Sequence, residues 1–332
     1  VRKEKASEMV KAFSPASRML VLGRAGMDLY ADPPGAEAES ATGFATALGG
    51  SSGNIAAGLA RQGVATSLLT CVSKDSIGRF VRRELRNYGV DTAHVVELEG
   101  ECRTSLAVTE TRIENTQNTL YRNNAADLLL DEAHVRAVDF SKFDALIMTG
   151  TALAANPSRK ACFVAMEKAR AAEMMVVIDL DYRPYSWPGS VEAAETYGAA
   201  IELTDLVVGN DEEFAVVAGG DAEAGRRLAS DLAEDGKTAI YKMGEKGSIV
   251  FAPEVSFQTG IFPVEAIKPM GAGDAFMALL IAALVNGTTL REAVLRGSAA
   301  AAMVVSRFGC APAMPTPAEL AAFLEQNTAP QS

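Results

Sequence analysis

A chain of 332 residues, 48% of them hydrophobic, has apolar material for one large core or two small ones. With 42 acidic against 31 basic side chains the formal net charge is −11, which argues against nucleic acid or an anionic membrane as the main partner, because both need a basic surface. Four well-separated cysteines without a CxxC pair, and only two histidines, argue against a zinc site and for a reducing compartment.

In chain order, residues 1–17 read as a flexible leader. Val1 to Ala12 is charged and lacks the apolar centre of a secretory signal, so the expected location is cytoplasmic. An apolar strand follows from Arg18 to Gly23, then Asp28, and then turns and short exposed strands over 29–48. The run Gly49-Gly50-Ser51-Ser52-Gly53-Asn54 leads into an alanine-rich helical segment. Paired glycines there let a ligand approach the backbone, or simply start a helix; both readings stand. A buried strand (Ala65 to Val72) and a helix (Ile77 to Asn87) come next. Residues 103–123 alternate apolar and polar side chains, the mark of half-exposed strands, and end in Tyr121-Arg122-Asn123. With the strands near 29–48 they are expected to form a small separate sheet.

From Asp144 onward short apolar runs alternate with helices: strand Ala145 to Thr149, helix Pro157 to Ala172, strand Met174 to Leu180, helix Val191 to Leu203, strand Leu206 to Val208. That is the pattern of a parallel sheet covered on both faces, with ligands at the C-terminal ends of its strands. The chain therefore reads as one α/β domain over 18–325 with an accessory sheet (about 29–48 and 103–124) and a tail over 326–332. The longest apolar run, Ala275 to Val285, is too short to span a bilayer.

Five segments carry candidate chemistry. In Gly271-Ala272-Gly273-Asp274, glycines ahead of a helix leave amide groups bare for an anion, while Asp274 has the wrong charge to attract one. A base beside an anion hole suits phosphoryl transfer. The alternative is a helix cap. Asn210 and Glu213 follow a strand and are three residues apart, which suits water-mediated Mg²⁺ binding or an ordinary N-cap. Lys242-Met243-Gly244-Glu245-Lys246-Gly247-Ser248 joins two strands, either as a loop over nucleotide phosphates or as a glycine hairpin. Arg122 and Arg183 each stand beside a tyrosine at a strand end and offer a planar fork to a carboxylate, or form ion pairs. No GxxxxGK[ST] P-loop and no protein-kinase HRD or DFG signature occurs.

Taken in this order, the glycine pair 49–50, Asn210 and Glu213, the 242–248 loop and the box 271–274 resemble the phosphofructokinase-B, or ribokinase-like, sugar kinases over roughly residues 18–325. The resemblance implies a three-layer α/β sandwich with a mostly parallel central sheet and a small β-lid. It further implies ATP and Mg²⁺ as cofactors. Asp274 would be the base, with the Gly271, Ala272 and Gly273 amides as its anion hole. Asn210 and Glu213 would organise Mg²⁺ through water, and Lys242, Gly244 and Gly247 would contact the nucleotide. Asp28, Gly49, Gly50, Asn54, Arg122 and Arg183 would contact the sugar. The stretches around Gly23 to Tyr30, Tyr121 to Leu128 and Leu180 to Trp187 are similar to the branch that phosphorylates six-carbon keto-deoxy acids, 5-dehydro-2-deoxygluconate first and 2-keto-3-deoxygluconate second. A sensing protein on the same fold is the non-enzyme alternative. Where most of the family has Asp-Thr-Thr, this chain has Lys268-Pro269-Met270, which puts a K⁺ requirement in question because a lysine brings its own charge. The expected partners are thus a small sugar acid and ATP, with a homodimer through the lid as a further expectation.

Overall fold

The computed structural model describes residues 13–112, 115–268 and 270–328. Of the leader, residues 1–12 lie outside the described part, as do residues 113–114, Pro269 and residues 329–332. Phe13 is already buried, so packing begins before the expected boundary at 18.

The main sheet has nine strands. Seven run parallel: β1 (Arg18–Leu22), β4 (Ala65–Ser73), β5 (Val95–Leu98), β8 (Ala145–Thr149), β9 (Met175–Asp179), β10 (Leu206–Asn210) and β11 (Thr238–Lys242). At one edge β12 (Ser248–Ala252) and β13 (Val255–Thr259) add as antiparallel hairpins. The order is β13-β12-β11-β10-β9-β8-β1-β4-β5. Successive side chains of a strand point to opposite faces, and both faces here are apolar. Met19, Val21, Ile147 and Val208 join one core, and Leu20, Leu22, Met148 and Val207 join the other.

Helices cover each face. The first core packs α1 (Ser51–Arg61), α2 (Ser76–Asn87), α8 (Ala272–Val285), α9 (Leu290–Val305) and α10 (Pro317–Gln326). The second packs α4 (Ser158–Ala171), α5 (Ser190–Glu202), α6 (Asp211–Val217) and α7 (Ala222–Glu234), with the one-turn α3 (Glu132–Arg136) beside them. The result is a three-layer α/β/α sandwich. Every residue of α8 from Ala275 to Val285 is buried, which is why its sequence shows no polar face. Among the described residues no helix is long and apolar enough to cross a membrane.

A second sheet, in the order β3-β2-β6-β7, stands apart from the first. It comprises β2 (Gly26–Asp32), β3 (Gly43–Gly49), β6 (Leu106–Thr109) and β7 (Asn118–Tyr121). β2 and β3 are antiparallel, β2 and β6 parallel, and β6 and β7 antiparallel. The strands expected near 29–48 and 103–124 thus pair with each other, as expected of a small separate sheet.

Candidate active site

At the C-terminal ends of the parallel strands, under the second sheet, lies a cavity of about 510 Å³. All of the sequence-derived candidates except Gly49 line it: Asp28, Gly50, Asn54, Arg122, Arg183, Asn210, Glu213, Lys242, Gly244, Gly247 and the run Gly271 to Asp274. Gly49 supports from behind. A Cβ there would fall 1.9 Å from Asp28 Oδ1, so only glycine lets β3 pass the buried Asp28 carboxylate.

Two helix N-termini meet in this cavity. α1 starts after Gly50, whose φ of +88° is left-handed, and α8 starts after Gly271, with a φ of +84°. Neither cap has a side chain accepting from the first-turn amides; Gly53 N of α1 donates to the Arg24 carbonyl, and the first-turn amides of α8 stay open to a ligand. The helices pack closely because position 58 is glycine: a Cβ there would lie 2.7 Å from that of Ala278. One turn earlier on each helix, Asn54 Nδ2 donates to Asp274 Oδ2 at 2.7 Å. The cap reading of Asp274 is therefore set aside, since its carboxylate points to α1 and the cavity rather than to its own helix. Burial, with Asp181 and Asp179 adding repulsion, pushes the Asp274 carboxyl up to about 7, against the Asn54 hydrogen bond that lowers it. That value suits a base working near neutral pH.

Asn210 and Glu213 form a reciprocal capping box on α6. Glu213 N donates to Asn210 Oδ1 at 2.8 Å, and Asn210 N donates to Glu213 Oε2 at 2.7 Å. Glu213 Oε1 also accepts from Tyr182 N. The cap and the cavity lining are the same two residues. Burial pushes the Glu213 carboxyl up to about 7, with Lys242 opposing and Asp179 reinforcing the shift. Among the described residues no group of three or more His, Cys, Asp or Glu side chains is arranged to hold a metal ion by itself. This donor set fits a magnesium that keeps its waters and shares phosphate oxygens. The 242–247 segment is a hairpin between β11 and β12, and it also lines the cavity. Lys242 Nζ lies 3.9 Å from Asp179 Oδ1 and over the Phe276 ring.

The two predicted arginines are less available than the sequence implied. Arg122, one residue beyond β7, is buried and ion-paired to Asp127, and its Nη2 also donates to the Thr151 carbonyl at 3.1 Å. Arg183 pairs with Asp181 at 2.6 Å, with 45% of its side chain exposed, so the ion-pair alternative describes it.

Asp179 and Asp181 went unselected in the sequence, although each sits at or just beyond the C-terminal end of β9, the place a parallel sheet reserves for ligands. Asp181 organises its surroundings. It accepts from Ser51 Oγ at 2.7 Å and Thr151 Oγ1 at 3.2 Å while holding Arg183, and its own φ is +38°. Such a backbone in a non-glycine residue persists only where the neighbours fix it. Arg24 was also unselected. It follows β1, lines the cavity, and donates from Nη1 to Ser105 Oγ at 3.2 Å. Lys268 is buried behind the 271–273 run, and its Nζ donates to the Met270 carbonyl at 2.6 Å. Burial lowers its basicity, against the pull of Cys310, Asp274 and Asp28.

A 5-dehydro-2-deoxygluconokinase from Photobacterium profundum is 40% identical over 92% of this chain and 94% of its own length. A fructokinase double mutant from Vibrio cholerae O395, solved with fructose, ADP and potassium bound, is 26% identical and superposes with a TM-score of 0.81, covering 94% of this chain and 99% of that one. A ribokinase-like protein of E. coli solved with ATP and Mg²⁺ has the same fold at 21% identity and a TM-score of 0.84, covering 93% of this chain and 99% of that one. The model of the pfkB family carbohydrate kinases matches residues 16–317, and on that match and these relatives the chain belongs to the pfkB family of carbohydrate kinases.

Proposed function

We propose that this kinase transfers the γ-phosphoryl group of ATP to the terminal hydroxyl of 5-dehydro-2-deoxygluconate. One observation carries the chemistry: Asp274, pushed up to about 7 and bonded to Asn54, stands in the first turn of the helix whose open amides face the same cavity. In the proposed step Asp274 takes the proton of the attacking hydroxyl as its oxygen bonds to the γ-phosphorus. The bond from phosphorus to the bridging oxygen breaks, and ADP leaves. The amides of Gly271, Ala272 and Gly273 face the charge that gathers on the migrating group. Lys242 and the Gly244 to Gly247 hairpin take the nucleotide phosphates, and the apolar end formed by Ile261, Phe276 and Ala301 takes the base. Asn210 and Glu213 would hold Mg²⁺ through water, and the metal would supply charge neutralisation to the phosphates.

The sugar lies under the second sheet against Asp28, Gly50 and Asn54, with that sheet as its lid. Arg122 and Arg183, already paired, meet hydroxyl or keto oxygens. The substrate assignment rests on the keto-acid names of the relatives. The exposed Phe44 and Tyr121 on the second sheet support pairing of two copies through it, in the cytoplasm. The buried Lys268 ammonium supports turnover without K⁺.

A coupled ADP-release assay with 5-dehydro-2-deoxygluconate, 2-keto-3-deoxygluconate, ribose and fructose tests the reading. The first acid is expected to give the highest kcat/KM. A higher value with the second acid moves the assignment to that substrate. Equal use of ribose or fructose removes the acid specificity, and no ADP from any of them leaves a sensing protein.

A further inference from the structure

A carboxylate substrate must enter a cavity whose wall already carries Asp28, Asp179, Asp181, Glu213 and Asp274. At long range these acids repel it, so a local positive group has to receive it. The wall holds four cationic side chains. Three face protein acids: Arg122 faces Asp127, Arg183 faces Asp181, and Lys242 lies within 4 Å of Asp179. The fourth, Arg24, makes no ion pair among the described residues. Of its five guanidinium N–H groups, one is committed, to Ser105 Oγ.

We propose that Arg24 is the residue that receives the substrate carboxylate and so sets the preference for an acid. This rests on the keto-acid reading of the same site.

The local structure is built to hold that guanidinium in place. The Arg24 carbonyl accepts from Gly53 N at 3.1 Å, which ties its backbone to the first turn of α1. Gly26 leaves the space in which the side chain lies: a Cβ there would fall 2.6 Å from the Ser105 carbonyl and 3.3 Å from Arg24 Nη1. Gly50 makes the matching allowance on the other side, where a Cβ would lie 2.6 Å from the Arg24 carbonyl. Ser105 directly precedes β6, so the guanidinium stands on the second-sheet side of the cavity with Ala107 and Leu120. The base, Asp274, belongs to α8 on the main-domain side. A six-carbon acid with its carboxylate at Arg24 then directs its opposite end, the terminal hydroxyl, toward Asp274. Asp28 is the acid that feels Arg24: the guanidinium lowers its carboxyl from a distance, while burial raises it by more. Arg24 is thus partly balanced in charge yet has donors open to a planar two-oxygen acceptor.

The test compares Arg24→Gln, Arg24→Lys, Arg122→Gln and Arg183→Gln with the wild type at saturating Mg·ATP. The two substrates are 5-dehydro-2-deoxygluconate and its neutral counterpart with a hydroxymethyl group in place of the carboxylate. The readout is the ratio of kcat/KM for acid over neutral. Arg24→Gln is expected to lower the acid value by about ten- to a hundred-fold, the range for a lost charged hydrogen bond, and to leave the neutral value within about threefold. Arg24→Lys keeps the charge without the fork and should fall in between. Arg122→Gln and Arg183→Gln should slow both substrates and keep the ratio. An unchanged KM for ATP shows that the variants fold, and if Arg24→Gln is insoluble, Arg24→Lys carries the comparison. Proportional loss of both substrates in the Arg24 variants overturns the proposal, as does collapse of the ratio in Arg183→Gln or Arg122→Gln instead. A wild type that uses both substrates equally overturns the keto-acid reading and this inference together, whereas a wild-type acid preference that survives Arg24→Gln overturns this inference alone.

Discussion

Replacing Asp274 by asparagine keeps the size of the side chain but removes its capacity to take a proton. Loss of a general base costs about 10²–10⁴ in turnover, so kcat should fall by that factor while KM for ATP changes little. A base works only when deprotonated. Wild-type kcat/KM should therefore rise with pH and level off above about 7, and the residual rate of Asp274→Asn should lack that limb. Stability should move the other way. The carboxyl stands near 7 in the fold instead of at the ordinary 3.8, so the folded state favours the proton. The stability this contributes is fully present below about pH 4 and is lost as the pH rises through about 7. The gap, at about 1.4 kcal/mol per pH unit, sets a ceiling of about 4 kcal/mol. The side chain is half-buried rather than sealed, so about 1–3 kcal/mol is the expected share. The neutral asparagine escapes that loss. Urea unfolding at pH 8 should show Asp274→Asn to be the more stable protein, with the difference shrinking toward pH 5. A variant with near-normal kcat refutes the base assignment. A variant less stable than the wild type at pH 8 refutes the electrostatic account.

Glu213→Gln should raise the Mg²⁺ concentration for half-maximal rate with little effect on the sugar KM; an unchanged Mg²⁺ profile would leave Glu213 with only its capping role on α6. Gly58→Val should force α1 from α8, because even a Cβ would lie 2.7 Å from that of Ala278 and 3.2 Å from Met314 Sδ. The expected effects are a stability loss of about 1–3 kcal/mol and a fall in kcat as Asn54 separates from Asp274; unaltered kcat would disconnect that packing from the site. Turnover should be the same when K⁺ is exchanged for a bulky organic cation, since Lys268 already places an ammonium against the Met270 carbonyl; a strict K⁺ requirement would contradict this.

The layered architecture and most of the cavity lining were legible in the amino-acid order. Short apolar runs separated by helices have one compact solution, a parallel sheet covered on both faces. The strand read at Ala145 to Thr149 is β8 to the residue, and the helix read at Ile77 to Asn87 differs from α2 by one residue. Glycine-rich runs at 49–53 and 271–273 were legible because close backbone approach leaves few alternatives to glycine. Helices α9 and α10 carried a legible signal that went unused: Thr289 with Glu292 and Thr316 with Glu319 are capping boxes. Which charges remain available emerged only on folding. Arg24, Arg122 and Arg183 look alike in the sequence; on folding Asp127 pairs with the second and Asp181 with the third, while the first makes no ion pair among the described residues. The state of Asp274 emerged in the same way. Its proton affinity comes from burial and from acids distant in sequence, Asp181 and Asp179, brought to the same cavity by the crossing of the chain from β9 to α8. Propensity and spacing are local properties, whereas desolvation and charge pairing depend on the contacts that folding creates.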